Sequence, residues 1–180
     1  VTSLAGVPSW MLVMLEKVLE VTGASDLCQV WPHLELFMHG GIAFTPYQEI
    51  DRRLIPSSRM RYYEVYNASE GFFAFQDTAQ SKDMLLMSAH GIFYEFIPMD
   101  QFLKKGQAAA AVPLWEVRMD TPYAMVITTC GGLWRYLIGD TVRFTSLDPY
   151  RLVITGRTKQ FINAFGEEVV VENAEQALDY

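Results

Sequence analysis

From Gly71 onward the sequence is broken into six short strand-like runs, at 72–75, 84–87, 92–97, 123–129, 141–145 and 152–155, all but the apolar 84–87 rich in β-branched and aromatic residues. Turn signals separate them: Ser81-Lys82-Asp83, His90-Gly91, Gly131-Gly132 and Asp148-Pro149. Such a series predicts strands that pair with one another in a curled, mostly antiparallel sheet. One short helix, at about 99–105, interrupts them before Gly106.

The texture before Gly71 is different. Pro8 suits the first position of a helix, and Met11, Met14, Leu15, Val18 and Leu19 recur at helical spacing until Gly23 offers a C-terminal cap. The apolar run 10–15 predicts a helix buried on several sides. A second apolar run, 34–38, ends at His39-Gly40-Gly41 and reads as a buried strand meeting a tight turn. Thr45-Pro46-Tyr47-Gln48 then combines a capping box with proline at the first helical position, and Pro56 stops the helix that follows. The run 62–65 is a further buried strand. The predicted fold is mixed α/β, the end of a Rossmann-like α/β subdomain followed by a curled antiparallel β subdomain, with boundaries at 1–71, 72–155 and 156–180.

Composition limits the partners. A net charge of −7 and the lack of a Lys/Arg-rich run argue against nucleic acid, whose phosphates need clustered cations. Cys28 and Cys130 are the only cysteines, too few for a disulfide framework, so a reducing, cytoplasmic compartment is expected. Glu16 and Lys17 end the first apolar run well short of the roughly 18 residues that a membrane span requires. The chain opens at Val1 without a charged leader, and Tyr180 interrupts a helical pattern, so a segment of something longer is expected.

The chemistry concentrates at Val65-Tyr66-Asn67-Ala68-Ser69-Glu70-Gly71, which follows directly on a strand. In open α/β sheets, ligands bind outside the carboxyl ends of strands. There the Tyr66 ring can stack on a base, the Ser69 hydroxyl and neighbouring backbone N–H groups, among them that of Ala68, can hold a phosphate, and the Glu70 carboxylate can hold magnesium through hard oxygen ligation. A cap-and-turn role is the ordinary alternative for such residues. Two later stretches weigh against it: Gly132-Leu133-Trp134-Arg135-Tyr136-Leu137-Ile138-Gly139-Asp140 and Thr155-Gly156-Arg157-Thr158-Lys159-Gln160-Phe161-Ile162.

In this order and at roughly this spacing, the three stretches resemble the motifs of the auxin-responsive acyl-acid amido synthetases, a family of the adenylate-forming superfamily, and the chain looks like a bacterial-type member. The resemblance implies an enzyme that uses ATP and Mg2+ to adenylate a small carboxylic acid and passes the acyl group to an amine, an amino acid above all. It implies that Gly40 and Gly41 lie against adenine, Tyr66 stacks on it, Ser69 contacts the α-phosphate and Glu70 ligates the metal. Asp140 would bind the ribose hydroxyls and Arg157 would reach ribose or phosphate. Lys159 would be the pivot about which a C-terminal domain turns between half-reactions. Many members carry arginine where this chain has Leu137, so Arg135 is open to reading as a structural ion-pair partner. An acyl- or aryl-CoA ligase using the same first step, and a nucleotide-binding module without turnover, stand as alternatives. The acid, the acceptor and the oligomeric state are not specified by these motifs.

Overall fold

The computed structural model of the chain describes residues 1–158, together with the backbone strands Phe161–Ala164 and Glu167–Val170. Two units are present, Val1–Met87 and Ser88–Tyr180. Gly71, where the sequence texture changes, lies inside the first.

The first unit opens with strand β1 (Ser3–Gly6), helix α1 (Pro8–Thr22), the short helix α2 (Leu27–Val30), strand β2 (Leu36–His39) and helix α3 (Gln48–Leu54). Strands β3 (Arg61–Ala68), β4 (Gly71–Phe75) and β5 (Met84–Leu86) complete it. β1, β2 and β3 pair in parallel, each reached through helix as parallel pairing demands, whereas β3–β4 and β4–β5 are antiparallel. Pro8 starts α1, and Gly23 ends it at φ +68° with its N–H donated to the Leu19 carbonyl. Met11, Leu15, Leu27, Leu34, Phe37, Ile55 and Met60 form the core between the helices and one face of the strands.

Two expectations need correction here. α1 is buried along one face only: Met11 and Leu15 enter the core, while Trp10 is 76%, Val13 63% and Met14 40% exposed. At 3.6 residues per turn, residues 10, 13 and 21 lie on the side away from residues 11, 15 and 18, Met14 sits at the border between the two, and the latter three belong to the core. The capping box at Thr45 also does not form. A turn over 45–47 precedes α3, Tyr47 occupies the N-cap position without a side-chain bond, and the Phe44 carbonyl accepts from the N–H groups of Tyr47 and Gln48. The short α2, capped by the Asp26 carboxylate on the N–H groups of Cys28 and Gln29, was invisible to periodicity because four residues make barely one turn.

The second unit contains strand β6 (Ile92–Pro98), helix α4 (Met99–Lys105), strands β7 (Val112–Pro113), β8 (Pro122–Thr129), β9 (Tyr136–Leu147) and β10 (Tyr150–Arg157), and the antiparallel pair β11 (Phe161–Ala164) and β12 (Glu167–Val170). Its order β10-β9-β8-β6-β7 is antiparallel throughout. An aromatic core occupies one face: Phe96 meets Phe144 edge-on at 5.0 Å, and Tyr123 and Tyr150 pack on Phe144. On the other face, Ile97, Ala109, Ala124 and Val126 pack with Phe102 of α4 and with Leu137. Among the described residues, no helix is long and apolar enough to cross a membrane.

Candidate functional site

The carboxyl ends of β1, β2 and β3 frame a cavity of about 420 Å³ whose wall includes Gly6, Gly40, Gly41, Val65, Asn67 and Phe72. Gly40 is where the backbone must come close. A Cβ built there would stand 2.3 Å from the Val65 carbonyl oxygen, so no side chain fits between the loop after β2 and the neighbouring strand. Gly41 follows at φ +83°, a left-handed conformation that favours glycine. The two glycines thus let the loop fold against β3 and leave backbone, not side chains, at the cavity.

β3 then sorts the residues of the Tyr66 motif. Side chains alternate across a strand, and Val65 and Asn67 face the cavity. Tyr66 turns the other way. It is 4% exposed and packs edge-on against Phe73 at 5.0 Å, within the core. Ala68 ends the strand, and Ser69 and Glu70 form the two-residue tip between β3 and β4, Ser69 exposed and Glu70 half-buried. The structure therefore brings Gly40, Gly41 and the Ala68-Ser69-Glu70 turn to one end of the parallel strands and seats the Tyr66 ring in the packing beneath. Asn67 and Phe72 escaped sequence reasoning, although the period-2 alternation of β3 carries the signal for Asn67.

In the second unit, the other two motifs meet as partners on β9 and β10. Asp140 and Arg157 are opposite in register, and Arg157 Nε lies 3.2 Å from Asp140 Oδ1. Gly139, at φ +92°, turns its carbonyl to Thr158, which donates both its backbone N–H, at 2.8 Å, and its hydroxyl, at 3.2 Å. One position along, the hydroxyl of Thr155 donates to that of Thr141, which is buried. A register shift between Ile154 and Gly156 accompanies this arrangement. Such a bulge re-aims the residues that follow it. The carboxylate of Asp140 and the guanidinium of Arg157 can together address vicinal hydroxyls and a neighbouring phosphate.

Arg135 stands apart from this pair. Its Nε binds the Glu95 carboxylate at 3.0 Å, so it is the structural ion-pair partner that the sequence left open. Leu137 packs with Val126 and Ala124, which explains an apolar residue at that position. Lys159, the expected pivot, falls outside the described residues. His39, expected at a turn, ends β2 with its ring buried and stacked on Phe44 at 4.1 Å. Burial lowers its imidazole to about 4, so it is neutral at physiological pH. Among the described residues, no three His, Cys, Asp or Glu side chains gather as a metal cage. Magnesium commonly takes only one or two protein carboxylates beside substrate phosphates, and the exposed turn that holds Glu70 suits that mode.

Residues 85–157 match the GH3 family central domain. The indole-3-acetic acid-amido synthetase GH3.4 of Arabidopsis thaliana is 28% identical over 127 residues, which cover 66% of this chain and 21% of that protein. The indole-3-acetic acid-amido synthetase GH3.8 of Oryza sativa subsp. indica is 28% identical over 132 residues, covering 68% and 21%. The chain thus spans about a fifth of the length of the curated relatives it matches. Among solved structures, the AtGH3.15 acyl acid amido synthetase in complex with 2,4-DB superposes with a TM-score of 0.61 at 16% identity, over 90% of this chain and 29% of that one. A 2-hydroxyisobutyryl-CoA ligase in the postadenylation state, in complex with R3-HIB-AMP, gives 0.60 at 17% identity, over 99% and 37%. These superpositions show that the chain has the fold of adenylate-forming enzymes.

Proposed function

We propose, from the match of residues 85–157 to the GH3 family central domain, that this chain is the nucleotide-binding central part of an ATP-dependent acyl-acid amido synthetase. The whole enzyme joins a small carboxylic acid to the α-phosphate of ATP, expels pyrophosphate, and transfers the acyl group to an amine, an amino acid in this reading. It works in the cytoplasm. The observation that carries the reading is the pairing of Asp140 with Arg157 beside the Gly139–Thr158 clasp, inside the segment that matches the family.

Each residue has a task in that chemistry. Gly40 and Gly41 offer a flat backbone wall to the adenine, and Tyr66 supports it from the packed side of β3. Ala68 N–H and the Ser69 hydroxyl are donors for the α-phosphate, where negative charge gathers in the transition state and where fixed donors are worth most. Asp140 accepts the ribose hydroxyls, and Arg157 holds the Asp140 carboxylate in place and reaches toward ribose or phosphate. Lys159 serves as the pivot between the part before 156 and the part that 156–180 begins. Glu70 would hold Mg2+, which supplies charge neutralisation of the polyphosphate when bound.

Calorimetric titration of the chain with ATP and magnesium tests this reading. Glu70→Gln and Asp140→Ala should each weaken binding by about 1.5–3 kcal/mol, the worth of a hydrogen bond to a charged group. Unchanged affinity in both, with the fold intact by circular dichroism, would remove the site assignment.

A further inference from the structure

The core of the first unit holds three polar atoms that no hydrogen bond reaches: His39 Nδ1, Asp51 Oδ1 and the Tyr62 hydroxyl. Buried polar groups are nearly always partnered, so three orphans in one core need a reason. Two of them flank a single ring, and the third neighbours one of those two. Phe44, on the loop between β2 and α3, is sandwiched by rings, with His39 stacked on it at 4.1 Å and Tyr62 at 5.1 Å. Asp51 projects from α3, the helix that this loop feeds, and is 2% exposed. The same loop begins with Gly40 and Gly41. We propose that His39 and Asp51 are a matched pair of proton-sensitive anchors, which hold the Gly40–Tyr47 loop and α3 against β2 and β3 only while both are neutral.

The surroundings explain why neither group has a ready counter-charge. On β3, the Tyr62 hydroxyl is held up to about 12 by burial and then by Asp51, so it stays a neutral neighbour. Glu64, the register partner of His39, is also raised by burial, with Lys82 pulling the other way. α2 contributes the Cys28 thiol, itself raised by burial. α3 contributes Arg52, which is exposed, and the ionisable side chains of α1, Glu16, Lys17 and Glu20, all face solvent. A charge on Asp51 or His39 would therefore be buried with little to offset it.

The two anchors respond to pH in opposite senses. Burial pushes the Asp51 carboxyl up to about 6, whereas in an unfolded chain it ionises near ~4. Its stabilisation is complete below the unfolded value and is lost as pH rises toward 6. The His39 imidazole, lowered to about 4, protonates near ~6.5 when unfolded, so its stabilisation is complete above that value and is lost as pH falls. Between pH 4 and 6 the two slopes oppose one another. Above 6, Asp51 is charged and the loop is held less firmly.

The test uses the chain with and without Asp51→Asn and His39→Phe, the second of which keeps a stacked ring. Relative to wild type, the folding constant of Asp51→Asn should gain about tenfold per pH unit between pH 4 and 6, about a hundredfold in all, and then level off. That of His39→Phe should gain in the opposite direction, as pH falls from about 6.5 to 4. Carboxyl- and imidazole-detected NMR on the wild type should place the Asp51 midpoint near 6 and His39 near 4. Corrected amide protection at Tyr47, Gln48 and Asp51 should fall from pH 5 to pH 7.5 in wild type and hold in Asp51→Asn. pH-independent gains in both variants, ordinary midpoints for both groups in the wild type, or equal loss of loop protection in Asp51→Asn would each overturn the proposal. None of these readouts involves nucleotide, so the outcome is separate from the fate of the nucleotide site.

Discussion

Gly40 shows how one atom decides the shape of a site. With 2.3 Å between an added Cβ and the Val65 carbonyl oxygen, Gly40→Ala must push the loop and β3 apart. Backbone displacement of this kind costs about 1–3 kcal/mol. Urea denaturation should show that loss, and nucleotide affinity should drop with it, because the cavity wall moves. Gly23→Ala is the contrasting case. Its Cβ meets open space, so the cost comes only from the left-handed φ of +68° and should affect the end of α1 without altering the cavity. At this scale the sequence foretold the tight turn at the glycine pair and a turn at Ser69-Glu70, because turn-forming chemistry is local. The environment of Tyr66 was not legible there, since which face of β3 carries the ring depends on register, and register depends on the partner strands.

Elements were legible where their pattern is long enough to hold a period. The helix at Met99–Lys105 lies where the sequence put it, and the six β runs all fall on strands. β9 is the instructive difference. It begins at Tyr136, five residues earlier than its apolar run, because Gly139-Asp140 reads locally as a turn while the pairing with β8 and β10 carries the strand through it. β1 and β7, with four and two residues, are too short to announce themselves and exist only through their neighbours. The same reasoning corrects α1. Leu15 is fully buried in the core and Trp10 is three-quarters exposed. Leu15→Ala should therefore cost about 2–5 kcal/mol, while Trp10→Gln should change stability by no more than about 0.5 kcal/mol. Thermal or chemical denaturation of the two variants checks the assignment of faces.

The whole chain carries a net charge of −7, which repels a polyphosphate before any contact is made. If Glu70 acts through a metal, magnesium must do more than fit the turn; it must cancel this field. Calorimetry should then show ATP affinity rising at least several-fold with magnesium, adenosine affinity unchanged, and the magnesium effect largely lost in Glu70→Gln. A comparable gain for adenosine would show magnesium acting on the protein in general. At this scale the sequence offered three separated motifs and a family resemblance, but the clasp between two of the motifs is a product of strand pairing alone. That clasp bears on mechanics. Thr158 grips the Gly139 carbonyl with both backbone and side chain, so the chain is moored to β9 up to the residue immediately before Lys159. A single residue thus supplies two donors, one from its backbone and one from its side chain, to one carbonyl, and the far end of β10 is pinned to its neighbour at a point rather than along a ladder.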